Sequence, residues 1–342
     1  MASPFPKSSS QPGKGHITAR LHPHGSSSTL ESITYQYPLK LISPNPSSTP
    51  HQPSVLVFLL SYGGGLVGGD QVDLGVTVRA GARLSIVTQG HTKVFNSIKP
   101  DIVTRQALSV EIGSKAALCL LPDPVQPFAR SVYEQVQIFR LREDASLVLL
   151  DWVTQGRLAR GEDWNLTRWS GRNEVWISAA DDDAGDKDRG NASLDDASAL
   201  KHRLLVRDSI TLDGIPGPAQ PQTLKSQLHG NAVIGTLVLR GPLTTTLGEF
   251  FLKEFDLLPR LGSRDFERRK DPASEVERWR ARRLQHEKAN GLLWSAARVR
   301  GCVVVKFGAG SVEAGREWIG AMLIYEGSIE KAFGEQALLC VR

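Results

Sequence analysis

Across 342 residues, 41 Lys and Arg face 36 Asp and Glu for a formal charge of +5, and 40% of the chain is hydrophobic. That composition excludes a collagen-like or globally disordered chain and supplies a core for one large domain or two small ones. The charge surplus is too small, unless clustered on one face, to mark a nucleic-acid binder, and the longest aliphatic and aromatic run, Val55 to Leu60, falls far short of the roughly 20 residues that cross a bilayer.

The first fifteen residues (MASPFPKSSSQPGKG) read as a solvated tail, with neither the apolar stretch of a signal peptide nor an Arg-rich presequence. Short runs rich in Val, Ile, Leu and Thr follow, broken by Gly, Pro, Asn or Asp, which is strand patterning. They span Ile33 to Ile42, Ser54 to Ser61, Gln71 to Arg79, Arg83 to Thr88, Ala107 to Ile112, Ala116 to Leu121, Ser131 to Leu141 and Leu147 to Val153. Glu174 to Ser178, Arg203 to Leu212, Ala232 to Arg240 and Arg300 to Phe307 continue the series. No helical period separates these runs before about residue 245, which argues against alternating strands and helices and for stacked or rolled antiparallel sheets.

Two segments stand apart. Asp181 to Asp196 has seven Asp in sixteen residues and reads as an acidic loop insertion. The basic segment 264–290 contains a predicted helix from Ala273 to Ala289, with Asp271 as N-cap, Pro272 at the first position and Asn290-Gly291 as its stop. Its apolar stripe, Val276, Trp279 and Leu284, is thin, so the helix either docks a partner or is simply solvated. A second helix is predicted over Val312 to Glu326, capped by Ser311, with Trp318, Ile319, Met322 and Leu323 on one face. The expected fold is mainly β: two stacked, rolled sheets, β-helix-like, carrying two α-helices.

Little in the chain advertises bond chemistry. The glycine-rich segment Gly63 to Asp70 (GGGLVGGD) lacks the Lys and the Ser or Thr of a phosphate loop, and a strand rather than a helix follows it. Cys119, Cys302 and Cys340 lie in apolar runs and read as buried thiols of a reducing compartment, which makes the cytoplasm the expected location. Asp70, Asp123, Asp151 and Glu162 leave open a β-fold hydrolase working through paired carboxylates.

Four segments taken together resemble one family. They are Leu59 to Ser97, Leu120 to Gln135, Leu149 to Trp164 and Arg168 to Trp176. In order they carry a double-glycine-Asp turn, a T-Q-G-x-T-K strand end, a P-D-P-x-x-P-F loop and a W-x-x-x-G-R segment. This combination is similar to that of the urease accessory protein UreD (UreH) family. The resemblance implies one β-rich domain over 16–342 and no enzymatic activity of its own. It implies partners of the UreF and UreG types together with apo-urease, and neither nucleic acid nor membrane. Nickel is implied only in transit through the interior, with no tightly bound cofactor and no tight metal site. On the motifs, the implied nickel-path or partner-contact residues are Gly63, Gly64, Gly65, Asp70, Thr92, Lys93, Asp151, Arg157 and Glu162.

Overall fold

The computed structural model describes residues 11–22, 27–44, 53–178, 202–215, 222–258 and 274–342. The acidic segment 181–196 and residues 264–273 of the basic segment lie outside these. The strands run β1 (Lys14–Leu21), β2 (Ser28–Tyr35), β3 (Leu39–Ile42), β4 (Val55–Ser61), β5 (Gln71–Val78) and β6 (Arg83–Val87). Next come β7 (Thr92–Val94), β8 (Thr104–Ile112), β9 (Ala117–Leu120), β10 (Val125–Pro127), β11 (Val132–Leu141) and β12 (Ser146–Thr154). The last five are β13 (Arg168–Ser178), β14 (His202–Asp213), β15 (Val233–Arg240), β16 (Leu293–Val299) and β17 (Cys302–Ala309). They form a seven-stranded sheet, β14-β13-β11-β8-β5-β1-β2, and a ten-stranded sheet, β16-β17-β15-β12-β9-β6-β4-β3, in which β10 pairs with β12 and β7.

The expected two sheets are present, but their central pairing corrects the antiparallel expectation. β5, β8, β11 and β13 pair parallel in one sheet, and β4, β6, β9 and β12 pair parallel in the other. Parallel neighbours need a crossover, and here the crossover is a strand of the opposite sheet instead of a helix. Three four-residue turns make these crossings: Arg79 to Ala82, Gly113 to Ala116 and Arg142 to Ala145. Each is closed by its last residue, Ala82 N–H to Arg79 O (3.0 Å), Ala116 N–H to Gly113 O (3.1 Å) and Ala145 N–H to Arg142 O (3.0 Å). The turns also stack on one another, through Gly81 N–H to Ser114 O (2.9 Å) and Ser146 N–H to Ala116 O (2.9 Å). The closing alanines are buried at every level. A larger side chain there has nowhere to go, so Ala116→Leu is expected to cost about 1–3 kcal/mol, read as a lower urea midpoint at unchanged slope.

Pro38 cannot donate to a ladder, and it splits the single run expected from Ile33 to Ile42 into β2 and β3. The tail expected through Gly15 ends earlier, because β1 already includes Lys14. Gly13, with φ of 76°, brings the chain against β5 so closely that a Cβ would lie 1.7 Å from Gln71 O.

Five α-helices occur among the described residues, three more than expected. They are α1 (Leu224–Gln227), α2 (Thr245–Asp256), α3 (Glu275–Ala289), α4 (Val312–Glu326) and α5 (Ser328–Phe333). The helix expected from Ala273 begins later, at a reciprocal capping box: Ser274 Oγ accepts from Glu277 N–H, and the Glu277 carboxylate accepts from Ser274 N–H. Ser311 caps α4 as expected, and Trp318, Ile319, Met322 and Leu323 are buried. None of the described helices is long and apolar enough to cross a membrane.

α2, α4 and α5 cover the outer face of the ten-stranded sheet, so β12 is buried on both sides. Val148, Leu150 and Trp152 face the helices, while Leu147, Leu149 and Val153 face the other sheet. By the two-residue period Asp151 therefore points into the space between the sheets. On the seven-stranded sheet, ion pairs such as Arg105–Glu134 and Arg140–Glu111 are solvent-exposed and contribute little.

Candidate functional site

After β4 the chain makes a single 3₁₀ turn at Tyr62 to Gly64. Gly63 and Gly64 have φ of 71° and 75°, and a Cβ on either would meet nothing within 4 Å. Backbone conformation, not crowding, selects glycine there. Gly65 is the reverse case: its Cβ would fall 2.5 Å from the Phe95 ring and 2.8 Å from Lys93 O. The turn is thereby laid on β7, sealed by Leu66 N–H to Lys93 O (2.8 Å) and Phe95 N–H to Leu66 O (2.9 Å). The glycine motif and the Thr92-Lys93 motif are one structural unit. Asp70 stands at its far end, where its carboxylate accepts from Val67 N–H (2.8 Å) and closes its own turn.

Two adjoining cavities, of about 280 and 680 Å³, meet at this unit. The smaller is lined by Gly63, Gly64, Thr92, Lys40 and Gln106, the larger by Lys93, Asp123, Arg316 and Cys340, and the Thr88 to His91 segment belongs to both. That segment is pinned through Asp123. The Asp123 carboxylate accepts from Thr88 Oγ1 (3.0 Å), Gly90 N–H (2.9 Å) and Arg316 Nη2 (2.8 Å), and Asp123 N–H donates to Thr88 Oγ1 (2.7 Å). Burial pushes the His91 imidazole below its usual value, against the pull of Asp123. Burial and the Asp123 charge push the Cys340 thiol up to about 11, so it is no thiolate ligand at neutral pH.

From Gln106 a polar chain enters the interior. The Tyr133 hydroxyl lies 3.3 Å from Gln106 Oε1 and 3.2 Å from Gln135 Oε1, its one proton shared between them. Gln135 Nε2 donates to Asp151 Oδ1 (2.8 Å), Asn173 Nδ2 donates to Asp151 Oδ2 (2.6 Å), and Gln137 Nε2 donates to Asn173 Oδ1 (3.0 Å). Beside Asp151 in the β12–β15 ladder is Thr236, which donates to Asp208 Oδ2 (2.9 Å), and Asp208 in turn accepts from Lys306 Nζ (2.6 Å). Lys306 is half exposed, so the polar contacts beside Asp151 end at the surface. Burial raises the Asp151 pKa above the ordinary carboxylate range although two amides hydrogen-bond it, and burial together with the Asp151 charge raises the Tyr133 hydroxyl above its usual value.

Arg157 and Glu162 form a separate pair on the segment between β12 and β13. Arg157 Nε donates to both carboxylate oxygens, Nη2 adds a close contact, and the guanidinium stacks 3.9 Å over the Phe128 ring. The Arg157 bond holds the Glu162 carboxyl below its usual value. Of the residues singled out from sequence, Gly63, Gly64, Thr92 and Lys93 gather around the cavities, and Asp151 sits on the interior chain. Gly65 and Asp70 shape the turn, and Arg157 and Glu162 brace their own loop. His91, Gln106 and Arg316 were not anticipated, although His91 is the unspecified position of the T-Q-G-x-T-K motif.

Among the described residues, no three His, Cys, Asp or Glu side chains converge as a metal cage. Each carboxylate considered for hydrolysis is held by partners of its own, Asp70 by its turn, Asp123 by Arg316, Asp151 by two amides and Glu162 by Arg157.

Residues 13–339 match the family described as UreD urease accessory protein. The chain is 31% identical over 298 residues to an uncharacterized urease accessory protein ureD-like from Schizosaccharomyces pombe, covering 85% of this chain and 89% of that protein. It is 30% identical over 336 residues to urease accessory protein 4 of Cryptococcus neoformans, covering 90% and 88%. A shorter match, 43% over 146 residues, links it to the urease accessory protein UreD of Sorangium cellulosum, covering 43% and 45%.

Proposed function

The chain belongs to the UreD family of urease accessory proteins, which assist an enzyme and are not enzymes themselves, and we propose that it passes nickel through its interior to apo-urease. It acts in the cytoplasm, in a complex with UreF-type and UreG-type proteins, and nickel is its cargo. The observation that carries this reading is the buried chain from Gln106 to Gln137, in which Asp151 is the one carboxylate among hydroxyls and amides. A storage site would offer several strong ligands and trap the ion. One carboxylate with neutral oxygens binds weakly enough to release it, as conduction requires. The hydrolase alternative falls with family membership.

The test is nickel content of urease reconstituted with UreF-type and UreG-type proteins. Asp151→Ala is expected to lower it, and unchanged loading would overturn the reading. Asp70→Ala serves as the contrast. It removes a turn cap and is expected to cost roughly 0.5–2 kcal/mol of stability while leaving nickel loading intact.

A further inference from the structure

The groove at the mouth of the polar chain has the wrong sign for a free dication. Lys40, Lys93 and Arg316 line the two adjoining cavities, and among their described lining residues the only carboxylate is Asp123. Asp123 is already engaged by Thr88, Gly90 and Arg316, so it offers little to a ligand. Arg316 is buried at Nε, but its side chain is about a third exposed and can reach a ligand in the groove. The same larger cavity is also lined by apolar side chains, Phe58, Leu60 and the half-exposed Leu339.

We propose that this groove receives an acidic, partly apolar segment of a protein partner, its carboxylates against Lys93 and Arg316 and its apolar side chains against Phe58, Leu60 and Leu339. Charge complementarity selects the occupant: a lining that mixes cations with hydrocarbon matches a peptide that carries both carboxylates and apolar side chains. A purely apolar segment would leave Lys93 and Arg316 desolvated without compensation. A small inorganic anion would leave the hydrocarbon lining wet. The docking rests on the groove alone and stands whether or not any ion crosses the interior.

The experiment uses the full chain and a short fluorescein-labelled peptide alternating Glu and Leu, with its Gln/Leu twin as control, read by fluorescence anisotropy. Expected are binding of the Glu/Leu peptide, at least about tenfold weaker binding of the Gln/Leu twin, and a steep loss with added salt. Lys93→Glu is expected to weaken binding by about tenfold or more, while circular dichroism shows the fold unchanged, since Lys93 is exposed. Arg316→Gln is expected to act in the same direction. Because Arg316 also holds Asp123, Lys93→Glu is the deciding variant. Equal affinity for the two peptides, wild-type affinity in Lys93→Glu, or displacement of the peptide by equimolar inorganic phosphate would each overturn the proposal. No nickel enters the measurement, so its failure is distinct from failure of the transit reading.

Discussion

Arg283→Ala is expected to destabilise the fold by about 3–5 kcal/mol, read from the urea midpoint. Its guanidinium is 3% exposed and bridges two carboxylates, Glu254 Oε2 on α2 (3.2 Å) and Glu287 Oε1 one turn along α3 (2.9 Å). It also lies 5.6 Å from the Trp279 ring centroid and 5.5 Å from that of Trp294. Glu287 Oε1 further accepts from Trp294 Nε1 (3.0 Å) and Trp318 Nε1 (2.9 Å), so one oxygen anchors three elements. Removing the cation leaves two buried carboxylates with Arg280 as the remaining guanidinium partner of Glu254. Arg283→Lys is expected to recover only part of the loss, because a point charge cannot reproduce the planar fork between two acceptors. Burial works against the Glu254 carboxylate, but the Arg280 bond and the charges of Arg280 and Arg283 hold its pKa below the usual value. A depressed folded pKa contributes stability that is present above the unfolded value of about 4.3 and is lost as pH falls through the folded one. The gap between wild type and Arg283→Ala is therefore expected to be widest above about pH 5 and to narrow in more acidic buffer.

This cluster also shows where sequence reasoning ran out. Hydropathy assigns Arg283 and Glu287 to a wet face, so α3 reads as solvated or partner-docking with a thin stripe. In the fold those two residues are buried, and Val276, counted in the stripe, is exposed. β11 misleads in the same manner. Alternation in VYEQVQIFRL invites Val136 and Ile138 inward, yet Gln135 and Gln137 are the buried ones and the two aliphatics are half-exposed. Most strand positions were legible because β-branched runs between Gly and Pro breaks carry a local signal, but β1, the first half of β2 and β16 lie outside the expected runs. Strand direction was not, since a two-residue period reports which face is buried and never which way the neighbour runs. A signal for the parallel coil did exist in the three turns R-A-G-A, G-S-K-A and R-E-D-A, each joining two strands and ending on a buried alanine. The short strands β7 and β10 have no such mark, because three residues are too few to show a period.

Asp151→Ala is expected to cut the nickel content of reconstituted urease on the order of tenfold, the scale seen when a group that supports a metal site is removed. Asp151→Asn separates charge from shape. It keeps the side-chain volume between Gln135 and Asn173 and removes the negative charge, but it turns one acceptor into an amide donor facing a donor. It is therefore expected to fold with a urea midpoint below that of the wild type and to load urease no better than Asp151→Ala. Loading restored to the wild-type level by Asn would mean that the position needs only a polar atom, and the carboxylate would lose its role. The acid side gives a second handle. Burial raises the Asp151 pKa, so its proton returns at a higher pH than on an ordinary Asp near 3.9. A cation competes with that proton for the same oxygens. Wild-type loading is therefore expected to decline on acidification before surface carboxylates titrate, and the difference from Asp151→Asn is expected to close over the same range. A difference that stays constant with pH would show that the buried charge takes no part in moving the ion.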